Sequence, residues 1–462
     1  MSTLTIAPYA VHNPQIVPFA KRKGEHYTRA DLQAILSLLG DKGTLNLRRL
    51  VNGAGPAVTP DVREIDELKN RRSGENLLYF WLRDNALQCW GERLTANSPL
   101  LSQFAPLEMQ DQWKAGAEAF LTHYRDNAWR FKRVVLGETS PEHWNANEHP
   151  PVVLDLDLHE VPRTWGHIQH DAHGLFSGFL FDRLNDPSFS GYEEFRKLAI
   201  PYIVMLHAYH WKLQVWAHWD LGCWERHPVA QHWSSICPLA VSFANQVAYL
   251  RANGHDLTYT LEGHEYRLHI SGVEQLLGKC TEVLNELGTN EFIHASDGTR
   301  GADLAKLNGL FLQAVTGAHV VDDTISIAIV RQILDLMGEH GCRRWNGDPW
   351  DGRVDRADVE IPGQQAQWCH AAAQLVPVLL DLYDRTGQNW LLDEAHLNFG
   401  RAIGSIGADW AGAESYIINP GTREWIQDEN RPFAWWAAMM RCAFVWMERA
   451  LIKQSVPVTK AA

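Results

Sequence analysis

Residues Thr28–Gly40 read TRADLQAILSLLG, with apolar Leu32, Ile35, Leu36 and Leu39 at three- and four-residue spacing. That spacing is one face of an α-helix, and Thr28 with Asp31 three residues on has the form of a capping box. A helix is predicted to begin here. The same period predicts further helices around 77–94, 109–128, 165–184, 192–217, 228–253, 272–287, 301–316, 322–339, 364–386, 389–404 and 430–453. Between them lie long loops rich in Gly, Pro, Asn and Asp, such as TSPEHWNANEHPP, RRWNGDPWDGRVDRADVEIPG and SYIINPGTREWIQDENRP. One alternating stretch, LTYTLEGHEYRLHI, predicts a β-hairpin. No linker, low-complexity tract or close repeat divides the chain, so a single domain is expected over 28–453, after an extension 1–27 and before a tail 454–462. Helices alternating with long loops predict an all-α fold, a closed helical toroid with functional loops on one face.

Bulk composition narrows the function. The 462 residues are 45% hydrophobic and 21% charged, as in an ordinary globular protein, and the apolar runs are too short to span a bilayer. A formal charge of −13, with no dense basic stripe, disfavours a nucleic-acid partner. Seven scattered cysteines without a CxxC pair suit reduced thiols better than a disulfide frame or a zinc site. The opening residues have no signal-peptide pattern, so a cytoplasmic location is expected. Twenty tryptophans stand out: an indole face stacks on the C–H face of a sugar ring, although large aromatics also serve as ordinary core.

Five segments could carry chemistry. WLRDNAL brings Trp81, Arg83 and Asp84 to a predicted helix start, where fixed polar groups can hold sugar hydroxyls or form a plain ion pair. TWGHIQHDAHGLF places an aromatic, an amide and a carboxylate together in Trp165, Gln169 and Asp171. Its His167, His170 and His173 share a helical face and could ligate a metal, but no further ligand pattern accompanies them, and no metal or other cofactor is expected. His207, His210, His218, His227 and His232 extend this excess. In DLGCWERHP, Glu225 follows Trp224; a carboxylate desolvated by an indole keeps its proton longer, as a general acid must. GCRRWNGDPWDG supplies Arg344, Trp345 and Asp348, and QAQWCH supplies Trp368. The late loop offers Glu414, Glu424 and Glu429, one of which could activate water.

Taken in order, these segments resemble the glucoamylase family of glycoside hydrolases and the glucoamylase-like domains of phosphorylase kinase regulatory subunits. WLRDNAL is similar to the family's W-x-R-D segment, TWGHIQHD to its W-G-x-x-Q-x-D segment, DLGCWER to the segment of its general acid, GCRRW to its arginine-aromatic loop and AESY to its base segment. NRPFAWWAAMM resembles the start of its final helix, and Val320–Asp323, VVDD, is similar to the kinase-subunit branch. The resemblance covers about residues 28–453. It implies an (α/α)6 barrel and inverting hydrolysis without a metal, with Glu225 as general acid and Glu414 as general base. It also implies a pocket of Arg83, Asp84, Trp165, Gln169, Asp171, Arg344 and Trp345, to which Trp81, Trp224 and Trp368 are added as expected sugar contacts. The loop after AESY is longer than the family's, which leaves Glu424 as an alternative base, and Trp345 stands where the family has tyrosine.

The expected function is therefore an exo-acting glucosidase that releases glucose from a short soluble α-glucoside. Its partner is a small carbohydrate, with neither nucleic acid nor membrane. Two other readings stay open: a sugar-binding regulator without turnover, and a helical-barrel epimerase using the spaced histidines for proton transfer.

Overall fold

The computed structural model describes residues 4–6, 8–45, 79–103, 112–139, 149–155, 157–161, 168–225, 229–295, 298–351 and 363–455. Among them, thirteen α-helices follow one another: α1 (Arg29–Lys42), α2 (Leu82–Ala96), α3 (Gln112–Asp126), α4 (Trp129–Val135), α5 (His170–Leu184), α6 (Tyr192–Leu213), α7 (Trp233–Asn253), α8 (Ile270–Leu287), α9 (Lys306–Thr316), α10 (Asp323–Leu336), α11 (His370–Thr386), α12 (Asn389–Gly404) and α13 (Ala434–Ser455).

The capping box at α1 is formed: the Asp31 backbone N–H donates to Thr28 Oγ1 at 3.2 Å and the Thr28 N–H to Asp31 Oδ2 at 2.8 Å. Short strands complete the elements. β1 (Leu4–Ile6) pairs with β2 (Tyr9–Val11), and β3 (Phe80–Trp81) with β4 (Val153–Leu154). The expected hairpin is β5 (Asp256–Leu261) and β6 (His264–His269), joined by Glu262-Gly263, both at positive φ as a tight hairpin turn requires. β7 (Phe292–Ala295) pairs with β8 (Gly298–Arg300), while β9 (Gln367–Trp368), β10 (Ser415–Ile418) and β11 (Trp425–Gln427) form an antiparallel sheet in the order β11-β10-β9.

Helix packing closes a ring. α2 contacts α5, α5 contacts α7, α7 contacts α9, α9 contacts α11, α11 contacts α13 and α13 returns to α2. A second layer wraps it: α1 packs on α13, α3 on α2, α8 on α7, α10 on α9 and α11, α12 on α11, and α6 on α3 and α4 and, more lightly, on α5. This is an (α/α)6 barrel. Inner helices are buried nearly all round, as in α5, where fourteen of fifteen residues are buried. The segment before α1 joins the same core through Tyr9, Val11, Ile16 and Tyr27, and Ala10 donates its N–H to Glu339 C=O.

Glycines let the inner helices approach. A Cβ on Gly174 of α5 would sit 2.8 Å from the Leu239 nitrogen and the Pro238 carbonyl carbon in α7, and one on Gly91 of α2 would sit 2.8 Å from Ala438 Cα in α13. These neighbours are backbone and cannot rotate away. Gly174→Val is therefore expected to lower stability by about 3 kcal/mol through overpacking, read as a lower denaturation midpoint in urea. Wild-type stability in this variant would remove close contact at the α5/α7 seam as a determinant of ring closure.

The six inner helices start four to six residues later than the apolar period suggested. No helix of the described residues is long and apolar enough to cross a membrane.

The histidine excess is largely structural. His170, His173, His207 and His210 are buried, His173 Nδ1 lies 2.9 Å from Tyr202 Oη, and His170 Nε2 lies 3.2 Å from His218 Nδ1. Burial pushes His170 and His210 well below the usual imidazole range and His207 down to about 4, so these rings are neutral packing groups near neutrality. None of these four rings lines the cavity described below, so they are not placed for the proton transfers of the epimerase reading. His167 and His227 lie outside the described residues.

Candidate active site

The start of α2, the first turn of α13 and the loops leading into α7, α11 and α13 meet around a cavity of about 160 Å³. α2 contributes Trp81, Arg83 and Asp84 at its first turn, held there because β3 pairs with β4 and Leu82 N–H donates to Val152 C=O at 2.9 Å. Burial pushes Asp84 up to about 6, against the opposing charge of Arg83. Positive helix ends pointing at this space favour such buried acids and any electron-rich ligand.

Arg83 is a fixed clamp. Its Nε donates to Asp171 Oδ2 at 2.5 Å, and its Nη2 donates to Gln169 Oε1 at 2.9 Å and to Asp171 Oδ1 at 3.2 Å. Nη1 remains directed at Glu225 Oε1, 3.6 Å away. Gln169 and Asp171, expected to touch sugar, thus lie behind Arg83 and orient it rather than line the cavity. Asp171 also compensates the guanidinium charge, which leaves Glu225 beside a largely neutralised pair.

Glu225 sits in the loop before α7 with φ 56°, a left-handed conformation uncommon outside glycine that concentrates at functional sites. The loop is braced by Asp220, whose carboxylate accepts N–H groups from Gly222 at 3.2 Å and His170 at 3.0 Å and the Ser235 hydroxyl at 2.7 Å. Beside it, His232 is raised to about 9: burial lowers it, but the Glu291 hydrogen bond and the charge of Asp220 prevail.

Trp224 and Trp368 form one wall, ring centroids 5.2 Å apart, and the Arg344 guanidinium lies 5.3 Å from the first and 5.6 Å from the second. Asp348 grips Arg344 with two hydrogen bonds of 2.8 and 2.7 Å, a bidentate pair that sets its plane. Trp345 is displaced from the role the sequence suggested: it is packed between Arg300, 4.0 Å from its ring, and Arg344 at 4.6 Å, and does not line the cavity. Trp165 lies outside the described residues.

Glu414 immediately precedes β10 and lines the cavity. Its backbone is held on both sides, its N–H donating to Asn430 C=O and its C=O accepting from Cys369 N–H, each at 3.0 Å. Its Oε2 accepts Asn430 Nδ2 at 2.5 Å. Burial, and then the charge of nearby Asp428, raise the Glu414 pKa. Asp428 is itself tied to Ser415, accepting the backbone N–H at 2.9 Å and the hydroxyl at 2.6 Å. Glu424, the alternative base, is exposed in the turn between β10 and β11 and does not line the cavity.

Cys223, Phe433 and Trp435 also line the space and were not singled out from the sequence. Each adjoins a quoted motif, in GCWER and NRPFAWW; adjacency to the nominated residues was the available signal. Asp428 and Asn430 flank the candidate Glu429, but it is hairpin pairing that brings them to Glu414. Among the described residues, the set grouped closely enough for a metal is Asp155, Asp157 and His159, none of which lines this cavity. All seven cysteines are buried thiols, none in a disulfide.

No protein-family model matches the sequence, and no curated protein matches it. Solved structures share the fold. A glycosidase variant in complex with glucose superposes with a TM-score of 0.60 at 13% identity, covering 92% of this chain and 99% of that one. The glucoamylase from Saccharomycopsis fibuligera gives 0.53 at 14%, covering 94% and 99%, and the family 15 glucoamylase from Hypocrea jecorina gives 0.55 at 12%, covering 93% and 75%. At these identities the likeness is one of fold.

Proposed function

We propose that this chain is an exo-acting glycoside hydrolase that releases glucose, with inversion, from the non-reducing end of a short α-glucoside. Glu225 is the general acid and Glu414 the general base. The observation that carries the reading is that both line one hexose-sized cavity and enter it from segments leading into α7 and α13. Those helices are three places apart whichever way the ring is followed, so the two acids approach from across it. Tryptophan walls and the fixed Arg83, Asp84 and Arg344 suit a ring of hydroxyls.

In this mechanism the Glu225 proton passes to the glycosidic oxygen as its bond to the anomeric carbon breaks. Glu414 takes a proton from a water that attacks that carbon on the opposite face, through an oxocarbenium-like transition state. One water is consumed and the configuration inverts. An inverting pair needs carboxyl groups about 6.5–9.5 Å apart to admit that water. The test is proton NMR of maltose, isomaltose, trehalose and maltotriose with purified protein. An initial excess of β-glucose is expected from maltotriose, maltose and isomaltose, and equal β- and α-glucose from trehalose, whose leaving sugar keeps its α configuration; an initial excess of α-glucose would overturn inversion, and binding without release would favour the regulator.

Glu414 must be ionised to act, so activity is lost as pH falls through its raised pKa. The acid limb of kcat/KM is therefore expected above the usual carboxylate range. Asp428→Asn removes one cause of that elevation and should move the limb to lower pH. A limb that stays in place excludes Asp428 as the neighbour that sets it.

A further inference from the structure

Asp303 stands three residues ahead of α9, where two loops reaching the cavity come together. Its side chain has no exposure to solvent. Oδ1 accepts the Trp224 indole N–H and the Ala305 backbone N–H, both at 2.8 Å, and Oδ2 accepts Arg300 Nη1 at 3.1 Å. A carboxylate buried in this way is costly unless every such contact is kept.

Two parts of the site hang on this unit. Trp224 is the residue immediately before Glu225, and the one polar atom of its side chain is the N–H that Asp303 holds. On the other side Asp303 forms an isolated β-bridge with Trp345, and Leu304 N–H donates to Arg344 C=O at 2.7 Å. Arg300 closes the arrangement, ion-paired to Asp303 while its guanidinium stacks 4.0 Å from the Trp345 ring. Near Glu225 itself, a 3.3 Å bond from its N–H to Gly222 C=O spans a turn at positive φ.

We infer that Asp303 is a positioning residue for hydrolysis: by fixing the plane of Trp224 and the path of the Arg344 loop, it holds the proton of Glu225 on line with the departing oxygen. This rests on the glucosidase reading above. An asparagine cannot replace it, because with its oxygen toward Trp224 its amide N–H₂ faces the Arg300 guanidinium, donor against donor.

The test compares maltose, whose leaving group needs a proton, with α-glucosyl fluoride, whose fluoride leaves without one. D303N is expected to lose roughly tenfold to a hundredfold in kcat on maltose, the size of effect that a small misplacement of a reacting group produces, and far less on the fluoride. A loss of structure would lower both alike. Replacing Trp224 by 3-benzothienylalanine, which keeps the aromatic wall and deletes only the indole N–H, should show the same substrate pattern, and combining it with D303N should be little worse than the poorer single change, because both break one contact. If D303N does not fold, the benzothienylalanine replacement alone must reproduce the maltose-selective loss. Equal losses on both substrates, multiplying effects, or unchanged kcat overturn the inference while the wild type still turns over both sugars. A wild type inert on both would instead remove the glucosidase reading.

Discussion

Glu225→Gln is expected to lower maltose hydrolysis about 10²–10⁴-fold, the usual contribution of a positioned general acid, while leaving glucose binding in place. Glutamine keeps the shape of the side chain and an oxygen toward Arg83 Nη1, now 3.6 Å from Glu225 Oε1, but carries no proton to transfer. Binding should survive because Arg83 remains clamped by Asp171 and Gln169 and Arg344 by Asp348, none of which depends on Glu225. Leaving-group chemistry then isolates the role: α-glucosyl fluoride should be hydrolysed by the variant at a rate close to that of the wild type. Steady-state kinetics on both substrates, with glucose titration by NMR, measure this. Unaltered turnover of maltose would sink Glu225 as the acid.

Glu414→Gln should cost a similar factor of about 10²–10⁴, but on both substrates, because attack by water is required whatever leaves. Asn430 Nδ2 now holds Glu414 Oε2 at 2.5 Å, which leaves the other oxygen to face the cavity. The amide that replaces this carboxylate could still accept from Asn430 through its oxygen, yet it cannot take a proton from water. Glu424→Gln is the control: an exposed turn residue outside the cavity, its loss should leave kcat within about twofold, as most surface substitutions do. Were Glu424→Gln the damaging change and Glu414→Gln the silent one, the base would be reassigned and the hairpin would have to reorganise on binding sugar.

The sites differ in how openly the chain announces them. Arg83 and Asp84 stand together in the short motif WLRD and Trp224-Glu225 is a contiguous pair, so their candidacy needs only local pattern, although apolar spacing places the start of α2 five residues too early. Gln169 and Asp171 show the limit of such reading. They belong to the site, yet they turn to Arg83, 88 residues away in sequence for Asp171. Trp345 likewise looks like a sugar platform beside Arg344 until Arg300, from the β7–β8 hairpin, is found stacked on it. Which way a polar or aromatic side chain faces is set by partners brought in from elsewhere, and composition around the residue carries no trace of them.

What the amino-acid order determined by itself is the kind of element and its approximate place: helices from three-to-four spacing and capping at Thr28, the β5–β6 hairpin from the alternation of LTYTLEGHEYRLHI, and the loops that bear acids and tryptophans. These depend on interactions within a few residues. Tertiary structure alone decided that the six inner helices close on themselves, that pairing of Tyr416 with Gln427 leaves Glu424 exposed in the turn, and that Asp303 joins two distant loops. Ring closure and strand register are fixed by contacts between residues far apart in the chain, where a shift of one residue in a strand reverses the face a side chain presents.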